Sequence, residues 1–86
     1  MTTFKIEKKN GEKEDFKRNK VIDGIIQAGV ATQAAENITN RIEIWAKSIA
    51  LEGTVRSLDI RVKLLSLLQG VDKEAATKFE THKKVL

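Results

Sequence analysis

A chain of 86 residues has material for one small domain and one core, and with 41% hydrophobic but only 5% aromatic residues that core is predicted to be aliphatic. With no cysteine and a single histidine, disulfides, cysteine-bound zinc and a histidine metal centre are excluded, and no apolar run reaches the length of a signal peptide or a membrane helix. The net charge of +4 favours anionic partners, although the 33% of charged residues, both signs interspersed, describes an ordinary solvated surface equally well.

Two strands are predicted first. Phe4–Lys9 and Glu12–Phe16 flank Asn10-Gly11, a strong signal for a two-residue hairpin turn. Alternation puts Phe4, Ile6 and Lys8 on one face of the first strand and Glu12, Glu14 and Phe16 on one face of the second. Phe4, Ile6 and Phe16 are the residues expected to point inward. A lone hairpin is marginal in water, so it should rest on helices. Val21, Ile22, Ile25 and Ile26 fall at helical spacing and predict a first helix over Lys17–Ala28 that stops near Gly29. A second helix, Thr32–Leu51, carries Ala35, Ile38, Ile42, Trp45 and Ile49 as one buried stripe, with Arg41, Glu43 and Lys47 off it. Gly53 reads as its left-handed cap.

Thr54-Val55-Arg56 looks extended and supplies a third strand. Ser57 is placed as the N-cap of a third helix, and Asp59 in its first turn suits the helix dipole. Leu58, Ile60, Val62, Leu64, Leu65, Leu67 and Leu68 cover most of that helix, which makes it the central one, and Gly70 closes it. Asp72 caps a fourth helix whose Ala75, Ala76 and Phe79 face inward. The predicted fold class is mainly α (α+β): a four-helix bundle capped by an N-terminal β-hairpin or three-stranded sheet. Residues 1–86 are taken as a single domain, and the lack of cysteine fits a cytoplasmic setting.

The most unusual local feature is a conflict of charge. Lys17, Arg18 and Lys20 lie in or beside the first turn of the first helix, where the backbone is itself partly positive. Such conflicts often mark functional sites, and an anion held by the exposed N–H groups would relieve this one. Lys8 and Lys9 flank the hairpin tip, so Lys8, Lys9 and Lys20 are candidates to converge on one phosphate as flexible point charges. The competing reading is a hairpin kept soluble by its lysines, which edge strands carry against aggregation. Glu7, Glu12, Glu14 and Asp15 read either as ligands for Mg²⁺ beside a phosphate or as cross-strand partners for lysine. Pairing is favoured for Glu7, Glu12 and Asp15, and Glu14 is left open.

No catalytic set is visible. There is no P-loop, and His82 reads as a surface residue rather than a general base. Trp45 is read as core, not as a stacking platform. Nucleic acid is not favoured as a partner, because stacking aromatics are missing. The fourth helix offers Lys73, Lys78, Lys83 and Lys84 but no Asn, Gln or Arg, which suits weak, sequence-independent contact at most.

The succession Lys8-Lys9-Asn10-Gly11, Glu14-Asp15-Phe16, Lys20-Val21, Gly53, Val55-Arg56-Ser57, Ile60 and Ala76-Thr77-Lys78-Phe79 resembles the ATP-cone over nearly the whole chain. That family is the regulatory nucleotide-binding module of many ribonucleotide reductases, and it also occurs in their transcriptional repressor. The resemblance implies a four-helix bundle under a small three-stranded sheet. It further implies binding of ATP or dATP between hairpin and bundle for regulation rather than hydrolysis, with Mg²⁺ as a candidate companion. Carried across by position, the implied nucleotide contacts are Ile6, Lys8, Lys9, Glu14, Lys20 and Ser57. Lys9 stands where the family usually has Arg, and Lys17 where it usually has Asp or Asn. The implied partners are adenine nucleotide and either a second copy or a reductase-type protein. The alternatives are a degenerate cone acting as an interaction or dimerisation module, and a weak nonspecific nucleic-acid binder.

Overall fold

A computed structural model describes residues 4–81. The order of elements is β1 (Lys5–Glu7), β2 (Lys13–Asp15), α1 (Arg18–Gln27), α2 (Thr32–Ile49), β3 (Thr54–Arg56), α3 (Ser57–Val71) and α4 (Lys73–Thr81). The mainly α class, with four helices and a small sheet, is as the sequence predicts. The strands are shorter than the alternation implied. His82, Lys83 and Lys84 lie outside the described residues.

The hairpin closes differently from the two-residue turn read from Asn10-Gly11. Lys8 N–H donates to the Glu12 carbonyl at 2.8 Å, and Gly11 N–H donates to the Lys8 carbonyl at 2.9 Å. The loop is therefore Lys9-Asn10-Gly11. Of these only Gly11, at φ 88°, is left-handed, which is the three-residue loop with a glycine bulge rather than a turn with two positive φ values. The Asn10 side chain decides the matter, since its Oδ1 accepts from Glu12 N–H at 2.9 Å and so holds the asparagine in the tight local turn that this residue favours.

β1 is the middle strand. It pairs antiparallel with β2 and parallel with β3, giving the order β2-β1-β3. On the inner face Phe4, Ile6, Phe16 and Val55 are all buried, and the Phe4 and Phe16 rings meet at 4.6 Å between centroids. The three inward residues expected in the hairpin are those found. The opposite face carries Lys5, Glu7, Lys13, Asp15 and Arg56, as period two requires, while Glu14 stays with Ile6 on the core face at the edge strand.

α1 ends in a glycine-dependent motif. Gly29, at φ 103°, donates to the Ile26 carbonyl at 2.9 Å, and Val30 N–H reaches the Ile25 carbonyl at 3.4 Å. Ile25 and Val30 are both buried, the apolar contact that accompanies this cap. Gly53 does not play the same part for α2. The helix stops at Ile49, and Glu52 (φ 53°) with Gly53 (φ 74°) makes a tight turn in which Leu51 and Thr54 exchange both backbone hydrogen bonds at 3.0 Å. This turn aims β3 back along β1.

The buried stripe of α2 is Ala35, Ile38, Thr39, Ile42 and Ala46. It rolls slightly from the predicted line: Trp45 is half-buried beneath the Lys63 ammonium, 5.8 Å from the ring centroid, and Ile49 is exposed. The hydroxyl of Thr39 is satisfied by the Ala35 carbonyl at 2.8 Å. α3 is buried less completely than its leucine content implied. Ile60, Leu64 and Leu68 are fully enclosed, while Leu58 and Val62 are exposed. The helices form a ring in which α1 packs on α2 and α4, and α3 on α2 and α4, so each helix has an outward side.

Two more predicted boundaries move. Ser57 is the first residue of α3, not its N-cap; Arg56 holds that place and no side chain caps it, because β3 runs directly into the helix. Gly70 lies inside α3, which continues to Val71. Asp72 does cap α4: its Oδ1 accepts from Glu74 N–H at 3.0 Å and from Ala75 N–H at 3.3 Å. Asp72→Ala is expected to destabilise the fold by about 1 kcal/mol, read from the urea midpoint at unchanged slope.

Candidate functional site

The sheet register collects part of the predicted site. Ile6 pairs with Glu14 on one side and Val55 on the other. Side chains opposite one another in a sheet share a face, so Glu14 emerges on the same face as the buried Ile6. Lys8, two residues on from Ile6, shares that face and extends past the core; its ammonium lies 3.2 Å from Glu14 Oε2. The parallel pairing ends at Glu7 opposite Arg56. One residue further on come Lys8 in β1's continuation and Ser57 as the first residue of α3, both just past the end of the parallel pairing. Ser57 is half-buried.

Ile6 and Glu14 thus lie mid-sheet on the core face, with Lys8 and Ser57 just past the strand ends. Lys9 stands apart at the loop tip and is exposed. Lys20 is exposed in the first turn of α1, its N–H donating to the Lys17 carbonyl at 3.2 Å. Of the three lysines expected to converge on a phosphate, Lys8 pairs with Glu14, while Lys9 and Lys20 are exposed. The cross-strand pairing weighed for the carboxylates describes Asp15, which lies 3.6 Å from the Lys5 ammonium. It also describes Glu14. Glu12 instead accepts from the Asn10 amide at 2.6 Å. These are exposed pairs in high dielectric, each contributing little, and an incoming anion can displace them at small cost.

The start of α1 carries the charge conflict seen in the sequence. Its N-cap is Lys17, no side chain caps it, and its first turn has no acidic residue. One compensating contact was missed: the Arg18 guanidinium donates to Glu43 Oε1 in the middle of α2. Glu43 stood off the apolar stripe with no sign of a partner, since a contact between residues so distant in sequence has no local signature.

No helix among the described residues is long and apolar enough to cross a membrane, and no group of three or more His, Asp or Glu side chains among them is placed to hold a metal ion.

No family model matches the chain. It is similar to curated proteins named Transcriptional repressor NrdR. That of Staphylococcus carnosus is 30% identical over 83 residues, covering 92% of this chain and 52% of the relative. That of Brevibacillus brevis is 32% identical over 82 residues, covering 91% and 51%. That of Staphylococcus aureus strain JH9 is 33% identical over 76 residues, covering 84% and 48%. The chain spans about half the length of the curated relatives it matches, and their names are those of repressors rather than enzymes.

Proposed function

We propose that this chain is an adenine-nucleotide-sensing module of the ATP-cone kind, serving a cytoplasmic regulator of transcription. The observation that carries the reading is the Lys8–Glu14 pair, in a hairpin laid on the helical bundle and on the sheet face that buries Ile6, with Ser57 one residue past the end of the parallel pairing. An apolar floor, a displaceable ammonium and a hydroxyl suit the base and phosphates of a nucleotide. Lys20 and the uncapped N–H groups of α1 add positive potential for the phosphates. The likeness to transcriptional repressors supports a regulatory role over a catalytic one. In such a setting nucleic acid is a partner of the regulator as a whole, which widens the sequence reading that set it aside. Any Mg²⁺ would come with the phosphates, which demand few protein ligands of it.

Sensing requires that nucleotide bind two states of the regulator unequally. The first test is a titration of ATP and dATP into the whole chain, followed by calorimetry and residue-resolved NMR. Saturable shifts at Lys8, Glu14, Lys20 and Ser57 are expected; no saturable change at millimolar nucleotide removes the reading. Lys20→Ala should weaken ATP binding by roughly 1–3 kcal/mol, the worth of one charge-assisted hydrogen bond, with the fold unchanged.

A further inference from the structure

We propose that the Arg18–Glu43 ion pair is a clasp that positions the first turn of α1 for the nucleotide, an inference that rests on the function proposed above. Arg18 is the first residue of α1 and Glu43 lies 25 residues away in α2. The side chains of this pair are 36% and 24% exposed, against 59% and 59% for Lys5–Asp15 and 44% and 45% for Lys8–Glu14. Of the three pairs it is the one least screened by water, and it alone joins two helices.

The first turn needs such a fastening. A helix start leaves four N–H groups without partners and frays unless something holds it. Here no side-chain cap, no acidic residue and no favourable charge does so, and Lys17, Arg18 and Lys20 repel one another. Arg18 supplies the missing hold by reaching sideways to α2. Residues two apart on a helix face different ways. Fastening Arg18 to α2 therefore turns Lys20 away from α2, where it remains exposed. On the other side of Lys17 the chain is anchored by Phe16, buried against Phe4. The junction between hairpin and helix is thus pinned on both sides. Arg18 acts through Lys20 and the free N–H groups without touching the ligand.

The test uses the whole chain and four variants: Arg18→Gln, the milder Arg18→Lys, Glu43→Gln, and the exchange Arg18→Glu with Glu43→Arg. ATP affinity is measured by calorimetry, hydrogen exchange at Lys20 and Val21, whose N–H groups donate to the Lys17 carbonyl, by NMR, and thermal midpoint by circular dichroism. Arg18→Gln and Glu43→Gln should each lower ATP affinity about tenfold, the lower end of what loss of an outer partner costs at metal sites, and speed exchange in the first turn. Arg18→Lys, which keeps the charge but not the planar fork, should fall between. The exchange should restore most of both readouts. The clasp is overturned if Glu43→Gln binds ATP as the parent does or more tightly. It is equally overturned if the singles lower the midpoint while affinity holds, or if the exchanged pair binds as poorly as Arg18→Gln. If the parent chain itself fails to bind ATP, the proposed function falls and the clasp with it; if parent and variants bind alike, only the clasp falls.

Discussion

Phe79→Ala should cost about 3–5 kcal/mol of folding free energy, the usual range for emptying a buried aromatic site. Phe79 is fully buried, and among the described residues α4 contributes Ala75, Ala76 and Phe79 to the core. The two alanines bring little apolar area, so among the described residues the ring is the main attachment of α4. A short helix owes its stability to such packing rather than to its own hydrogen bonds. The ring also seats Arg61, whose guanidinium lies 5.8 Å from its centroid while donating to the Glu80 carbonyl at 2.7 Å. Truncating the ring would remove the platform on which that contact sits. Domains of this size are stable by roughly 4–13 kcal/mol at 0.05–0.15 kcal/mol per residue, so the loss takes from about a quarter to all of the folding free energy. Urea unfolding followed by circular dichroism measures it. A loss below about 1 kcal/mol would show that α4 is not held through this ring.

What could be read in advance follows the range of the interactions involved. Periodicity is local, and it gave the elements, the inward hairpin residues and the inner face of α4. Asp72 was legible as a cap because its partners are two and three residues away. Gly29 was legible because the helical period stops beside it. Gly53 was not, because a left-handed glycine after a helix serves either a cap or a tight turn. The choice depended on β3 finding β1, a pairing between residues nearly fifty positions apart. The same parallel pairing carried the chain straight from β3 into α3, and so took Ser57 from the cap position into the helix. Helix three looked fully buried because composition counts apolar residues without knowing which sides have neighbours; Leu58 and Val62 face outward in a ring of four.

The site divides along the same line. That Lys8 and Glu14 share a face followed from alternation once the hairpin was recognised. That Ser57 and Lys8 both follow directly on the end of one parallel pairing was not legible, because it depends on the register of β1 with β3. The Arg18–Glu43 contact had no local trace at all, for it joins the edges of two helices whose apolar stripes, not their charged residues, set their packing. The charge conflict at the start of α1 was visible in the sequence, but the contact that partly resolves it was not.

Ile6→Ala is expected to lose about 2–5 kcal/mol, because the side chain is 4% exposed at the centre of the sheet, between the registers of Glu14 and Val55. Its value lies in separating two roles. As core, Ile6 ties the sheet to the helices; as floor of the proposed site, it would also touch the bound base. If sheet and bundle unfold together, far-ultraviolet circular dichroism and the fluorescence of Trp45, which lies in α2, should shift to one lower urea midpoint. If the hairpin opens alone, its NMR signals should be lost while the Trp45 transition stays in place. Adding ATP then distinguishes the roles. A ligand that binds only the folded state stabilises it by about 2.7 kcal/mol at a hundred times its Kd. If Ile6 is core alone, the variant should gain as much from saturating ATP as the parent does, because Kd is unchanged. If Ile6 also meets the base, the gain at the same ATP concentration should be smaller, and the shortfall is the contact's share of the binding free energy. An equal gain would strike Ile6 from the nucleotide site and leave it to Lys8, Glu14 and Ser57.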